Sequence, residues 1–321
     1  MVANPNHRGH LSAAGQKDLS GVLSSIRNVS NIMEYQTYRR MTTSAWTSPR
    51  PFQGIRELGA TIRFDVEPRV QTYKYQINQT LDTDVPDFEK RTLTFNQARY
   101  FNVKVDKTQL ENAEVRAYIN RLTERAGMSL SEAMDPEVIR TAMSAILPHM
   151  RGANAGVDRN INLGTQAAPR NVTGENIVSL IVDAALAIQN TPEGSEWERG
   201  NMFMLMPSMA QTSFMNSQFA DLCCASGRES IVLGAALPNI AGFDVIFYDA
   251  PIKQAAGAGT YAYPVLFGSK TAVAFHQAMT ENDWNVLSER SFGRYFRGLM
   301  IHGSGVVYPK KLGLAIATFA A

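Results

Sequence analysis

For its first 60 residues the chain shows no sustained hydrophobic period, neither the helical repeat near 3.6 residues nor the two-residue repeat of a strand. This stretch is rich in Ser, Asn, Arg and Gly, with scattered large groups at Tyr35, Tyr38, Trp46 and Phe52. Such a segment buries too little apolar surface to offset the entropy of ordering it. It is either a loose tail or an arm pinned by other chains, and neighbouring subunits are the simplest partners. It is also basic. Residues 1–63 carry eight Arg or Lys, among them Arg27, Arg39, Arg40, Arg50 and Arg56, against three acids. That local net of +5 contrasts with +2 for the whole chain, so the body is close to neutral and the arm alone is suited to phosphate or an acidic neighbour.

Residues 60–105 read as strands. ATIRFDV, VQTYKYQINQTL, KRTLTF and ARYFNVKV are rich in Val, Ile, Thr, Tyr and Phe with partial alternation. The acidic stretch DTDVPDFE separates the second from the third, which predicts a long hairpin with a charged tip. Gln71, Lys74, Gln76, Asn78 and Gln79 make its faces polar, and a two-stranded ribbon alone is marginal in water. The ribbon needs a surface to lie on.

Thr108 followed by Glu111 has the spacing of a capping box, and Val115, Ile119, Leu122 and Ala126 then mark one helical face. Gly127 predicts an end, and Asp135-Pro136 a second start running to Pro148. RGANAGVDRNINLG, residues 151–164, has the composition of a flexible linker. Beyond it, Thr173 precedes an amphipathic helix with Ile177, Leu180, Ile181, Ala184, Ala185 and Ile188 on its buried side. NMFMLMP predicts a strand ending at Pro207, and a short helix spans 208–215. FDVIFYD, YPVLFG, TAVAFH, RGLMIHGSGVVYP and LGLAIATF supply further strands. Regular strand–helix alternation is missing, so the expected class is α+β with antiparallel or mixed sheets.

Catalytic signals are weak. Adjacent Cys223 and Cys224 cannot build a metal cage, and a bridge between neighbours is strained. This is the cysteine usage of a reducing compartment. The N-terminal stretch lacks the apolar core of a secretion signal, and no run of about 18 apolar residues predicts a membrane span. None of His7, His10, His149, His276 and His302 falls in a metal-binding spacing. Ser304 in HGSGV lacks the flanking glycines of a nucleophile elbow, which favours a tight turn between strands. His276 reads as a strand-edge histidine, and Glu193, Glu196 and Glu198 around Trp197 read as a solvated loop. No cofactor and no metal are expected, and the chain does not read as an enzyme.

The order of parts carries a resemblance. ARYFNVKVDKTQLENAEVRAYINRLTERAG, NMFMLMPSMAQTSFMNS, IVLGAALPNIAGFDVIFYDA, FGSKTAVAFHQAMTENDW and FRGLMIHGSGVVYPKKLGLAIAT occur in the order found in major capsid proteins of tailed double-stranded DNA bacteriophages. Over about residues 60–321 the chain resembles that family and its Hong Kong 97-like fold. The resemblance implies an N-terminal arm at 1–60 and an extended β-hairpin loop at 61–105. It implies a peripheral domain with a spine helix at 106–164, an axial domain at 165–260, and closing strands at 261–321. It further implies self-assembly into pentamers and hexamers of an icosahedral head shell around the genome. Arg27, Arg39, Arg40, Arg50 and Arg56 become candidates for DNA or neighbouring subunits, and Lys74, Lys90 and Arg91 for loop contacts between subunits. Packaged double-stranded DNA, bound without sequence preference, and scaffold, portal and decoration proteins are the implied partners. The implied location is the virion, assembled in the host cytoplasm. A nanocompartment shell protein of the encapsulin type is the nearer alternative, and a soluble hydrolase using His302 and Ser304 or the Glu193–Glu198 cluster the more distant one.

Overall fold

In a computed structural model the described residues are 41–49, 57–68, 70, 72–77, 79–80, 83, 88–106, 114–191, 195–217, 239–248, 252, 254–255, 261–287 and 293–319. The arm up to residue 40, Thr108, Glu111, Glu193 and the two cysteines lie outside them.

The elements are α1 (Thr43–Trp46), β1 (Ser48–Pro49), β2 (Thr61–Val66), β3 (Glu89–Thr94), β4 (Gln97–Asp106), α2 (Glu114–Ser144), β5 (Arg170–Val172), α3 (Ile177–Gln189), β6 (Met202–Pro207), α4 (Ala210–Met215), β7 (Phe243–Tyr248), β8 (Gln254–Ala255), β9 (Tyr261–Ser269), β10 (Val273–Leu287), β11 (Gly293–Val306) and β12 (Leu312–Phe319). They form three sheets. One has the order β1-β10-β11-β4, and a second runs β5-β12-β9-β6-β7 with β8 against β9. The third is the hairpin β2-β3. The pairing is mixed, as the sequence predicts: β10–β11 and β11–β4 are antiparallel, β6–β7 and β12–β5 parallel.

The hairpin differs from its sequence reading. Ile62 pairs with Leu93 and Phe64 with Arg91, so β2 itself returns as β3, and residues 72–77 are not strand. The amide of Gln79 donates to the carbonyl of Gln76 at 3.1 Å, which puts a turn midway between the hairpin's two strands. The strand ARYFNVKV does not run along the hairpin; as β4 it joins the sheet beside β11. Alternation in β2 and β3 sends Ile62, Phe64 and Leu93 to one face, where with Phe95 they pack on Ala274, Ile301 and Val307. Burying each of those four large side chains contributes about 1.5–3 kcal/mol, so the root of the hairpin rests on its own subunit.

HGSGV is not a turn. It lies within β11, with Gly303 opposite His276 and Gly305 opposite Ala274. A Cβ at Gly303 would stand 2.9 Å from the Thr94 carbonyl oxygen, and one at Gly305 would stand 3.1 Å from Leu93 Cδ1. The two glycines, two residues apart on one face, let β3 lie directly on β11.

The predicted helix break is also absent. The helix α2 runs unbroken through Gly127 and Pro136. Proline withholds one amide from the helix, and the carbonyl four residues earlier belongs to exposed Glu132, where water can satisfy it. The inward stripe of Leu130, Met134, Val138, Ile139 and Ala142 holds the helix on the core. In α3 the buried face is the predicted one, with Ala187 added, though the helix begins at Ile177, where the amide donates to the Thr173 carbonyl. Residues 151–164 are not a loose linker. Ala155 and Ile161 exchange backbone hydrogen bonds of 2.8 and 3.2 Å, and both side chains are buried with Leu163.

Candidate assembly surface

Residues 67–88 connect β2 to β3. Their described apolar side chains face outward: Val70 is 67% exposed, Tyr73 55%, Tyr75 66%, Ile77 87% and Phe88 54%. Tyr73, Tyr75 and Ile77 recur every second residue, and all three remain open to solvent. A soluble monomer rarely leaves such a cluster uncovered. Lys74 is exposed among these side chains. Lys90 and Arg91 sit lower, in the hairpin root: Lys90 is opposite Asp65, and Arg91 forms an ion pair with Glu89 of its own strand. The acidic stretch 82–87, apart from Thr83, lies outside the described residues, as do Arg27, Arg39, Arg40, Arg50 and Arg56.

Residues 41–49 are firmly attached to the rest of the chain. The carboxylate of Asp135 accepts the Thr42 and Thr43 amides at 2.9 and 3.1 Å and the Thr43 hydroxyl at 2.6 Å. Asp135 therefore holds the start of α1 and does not start a helix of its own. Three residues on, Trp46 is fully buried, its ring centroid 5.1 Å from that of Phe203 in β6. Ser48 and Pro49 then pair in parallel with Ala274 and Phe275 of β10. Residues 42–49 thus engage α2 and both large sheets. Sequence periodicity missed this anchor because only nine residues carry it; the available signal was an isolated Trp in a polar segment.

Two polar clusters tie parts of the body together, the first partly exposed and the second centred on a buried histidine. Glu198 accepts from Lys311 Nζ at 2.5 Å, Ser269 Oγ at 2.5 Å and Asn201 Nδ2 at 3.1 Å. Burial pushes its carboxyl up, but the hydrogen bonds from Lys311, Ser269 and Asn201, together with the Lys311 charge, outweigh burial and hold it at about 2. This glutamate is a partly exposed tie between the loop before β6 and the β9 and β12 ends, where the sequence predicted a solvated loop. Beside it, Trp197 stacks edge-on against Phe243 at 5.1 Å.

The second cluster is His302, whose side chain is 1% exposed; its Nε2 lies 3.0 Å from Glu137 Oε2, and Glu137 also pairs with Arg99. His302 Nδ1 is buried without a partner among the described residues. Burial lowers the His302 pKa; the charge and hydrogen bond of Glu137 act the other way, and the Arg99 charge lowers it further. His276, opposite Gly303 and within the sheet, is likewise lowered by burial. The bonded partner of His302 is Glu137 and not Ser304, which lies in mid-strand opposite Phe275.

Among the described residues no group of three or more His, Cys, Asp or Glu is placed to hold a metal ion. Among them, too, no helix is long and apolar enough to cross a membrane.

No protein-family model matches the chain, and no curated protein does. Solved structures do. The chain is similar to the capsid of Ralstonia phage GP4, with 15% identity and a TM-score of 0.57 over 83% of this chain and 85% of that one. It is similar to the capsid structure of the cyanophage P-SCSP1u, with 14% identity and a TM-score of 0.53 over 87% and 94%. It is also similar to a chain from Mycobacterium phage Che8, with 18% identity and a TM-score of 0.51 over 86% and 90%. At such identities the likeness is one of fold, and it spans nearly the whole of each partner: the chain has the mixed α/β fold of phage capsid subunits.

Proposed function

We propose that this chain is the major capsid protein of a tailed double-stranded DNA bacteriophage, assembling into pentamers and hexamers of an icosahedral head shell. The observation that carries the reading is the outward loop with Tyr73, Tyr75, Ile77 and Phe88 exposed on a subunit that has a capsid fold. Those side chains gain their burial free energy only when another subunit covers them. In a closed shell every subunit both gives and receives such contacts, so individually weak contacts act together through high effective concentration.

In this reading residues 1–60 are the arm, 61–105 the extended loop region, and 106–164 a peripheral domain whose spine helix is α2. Residues 165–260 form the axial domain, and the strands of 261–321 close the structure. The role is containment without catalysis, in the virion, after assembly in the host cytoplasm. The arm arginines Arg27, Arg39, Arg40, Arg50 and Arg56 meet packaged DNA or a neighbouring subunit, in the first case as salt-sensitive phosphate contacts without base reading. Lys74 contributes to the loop's contact with a neighbour, and Lys90 and Arg91 border it. Scaffold, portal and decoration proteins are the further partners. No observation favours the nanocompartment or hydrolase readings.

The test is a triple variant, Tyr73→Ser, Tyr75→Ser, Ile77→Ser. Because these side chains are more than half exposed, the variant should melt close to the parent protein yet fail to sediment as shells. Normal shells from the triple variant would remove the main support for the reading.

A further inference from the structure

A cleft of about 580 Å³ opens where the C-terminal end of α2 meets the 151–166 segment and β12. Met143, Pro148, Leu314 and Ile316 make its walls apolar, and Arg140 and Arg151 stand on it with no acidic side chain in the lining. Both arginines are exposed, and neither side chain has an ionic or hydrogen-bonding partner among the described residues. Both also spring from fixed backbone: Arg140 lies within α2, and Arg151 is bridged in parallel to Leu314 of β12. Two guanidinium groups held beside an apolar recess, without a counter-charge, form a ready site for carboxylates attached to an apolar group.

A second copy of this chain brings no surplus of that counter-charge. Over the whole length 29 acids face 31 bases. Several of the described acids are engaged within the subunit: Glu137 with Arg99 and His302, Asp183 with Arg170, Asp244 with Lys270 and Glu198 with Lys311. A nucleic-acid backbone has the charge, but its phosphates carry no apolar side chain to fill the recess. We propose that the Arg140–Arg151 cleft docks an acidic segment of a different protein. Carboxylates of that segment meet the two guanidinium groups, and a large apolar side chain next to them fills the recess between α2 and β12. The cleft lies wholly within one subunit, so its role is separate from the capsid reading.

The experiment selects binders from a random dodecapeptide library on the immobilised parent protein, with counter-selection on Arg140→Gln with Arg151→Gln. Both side chains are exposed, so the variant should melt with the parent. Recovered peptides should be rich in Asp or Glu beside a Leu, Phe or Trp. A synthetic peptide of the recovered sequence should bind the parent about tenfold more tightly than the variant in fluorescence anisotropy. That preference should vanish when the peptide's acids become amides, and Met143→Ala should weaken binding with both arginines in place. If the double variant melts lower, Arg140→Lys with Arg151→Lys takes its place; it keeps the charge, loses the planar fork, and should bind the peptide more weakly than the parent. Recovered peptides without acids, or peptides that bind parent and variant alike, would overturn the proposal. So would a short DNA duplex that prefers the parent to the variant about tenfold, since the cleft would then be a phosphate site. A change in the self-association of the purified chain on Arg140→Gln with Arg151→Gln, read by sedimentation, would overturn it too, because a second copy would then be the occupant.

Discussion

His302 Nε2 in β11 lies 3.0 Å from the Glu137 carboxylate on α2, a buried polar contact between the four-stranded sheet and the long helix. The carboxylate accepts, so the Nε2 proton is on the imidazole, and the buried Nδ1 faces no donor or acceptor among the described residues. A second proton at Nδ1 would place an unpaired charged N–H in the interior. Burial accordingly holds His302 below the ordinary histidine range, and does the same to His276. In the window just below the ordinary value of 6.5 the unfolded chain takes up protons that the native chain refuses. Stability is therefore complete above pH 6.5 and falls as pH drops toward the lowered native values. Melts at pH 7.5, 6.5 and 5.5 should show this slope, and His302→Gln should flatten it. An unchanged slope in the variant would show that His302 is not its source.

Glu198 sets a second acid limb. Its carboxyl is held at about 2 against 4.5 in the free side chain, so the stability it contributes is complete above pH 4.5 and declines as pH falls from there toward 2. Glu198→Gln should flatten the acid-unfolding curve within that window and leave the slope around pH 6 in place. Lys311→Met should act in the same window. Separate windows are what distinguish the Glu198 tie from the histidines.

Asp135 fixes the start of α1. Asp135→Ala leaves the Thr42 and Thr43 amides and the Thr43 hydroxyl without their acceptor, which should cost about 1–3 kcal/mol. Asp135→Asn keeps one acceptor oxygen and should cost less. Urea unfolding of the two variants measures both, and equal losses would argue that the charge, and not the count of acceptors, matters.

Gly303 tests the seating of the hairpin. A methyl group there meets backbone, the Thr94 oxygen at 2.9 Å and Phe95 Cα at 3.2 Å, and backbone cannot swing aside as a side-chain tip can. Gly303→Ala should destabilise by about 1–3 kcal/mol. Ser304→Ala, one residue on, should stay within about 0.5 kcal/mol. Similar losses from both would mean that β3 does not rest on β11 as closely as described.

What the sequence revealed follows from range. The buried face of α3, the wholly apolar β6 and the strands β7 and β9 to β12 were legible because local periodicity and composition dictate them. The helix break at Gly127 and Pro136 was a false stop, since propensity was overridden by the apolar stripe from Leu130 to Ala142. The strand reading failed over 72–77 because strand propensity does not provide a pairing partner; β2 found β3 instead. HGSG looked like a turn because glycines suit turns, yet here they give two strands room to touch across layers. Asp135 with Thr43, 92 positions apart, and Glu198 with Lys311, 113 apart, leave no local trace at all. The exposed aromatic residues of the loop were visible in sequence, but only the fold distinguishes an uncovered Tyr75 from a buried one.

The most direct test of assembly is negative-stain microscopy with light scattering on the purified protein across a concentration series, with and without a candidate scaffold protein. Closed shells, or free pentamers and hexamers that close when concentration rises or scaffold is added, are the predicted result. A monodisperse monomer or dimer, unchanged under all of these conditions, would contradict the proposal that this chain builds a capsid.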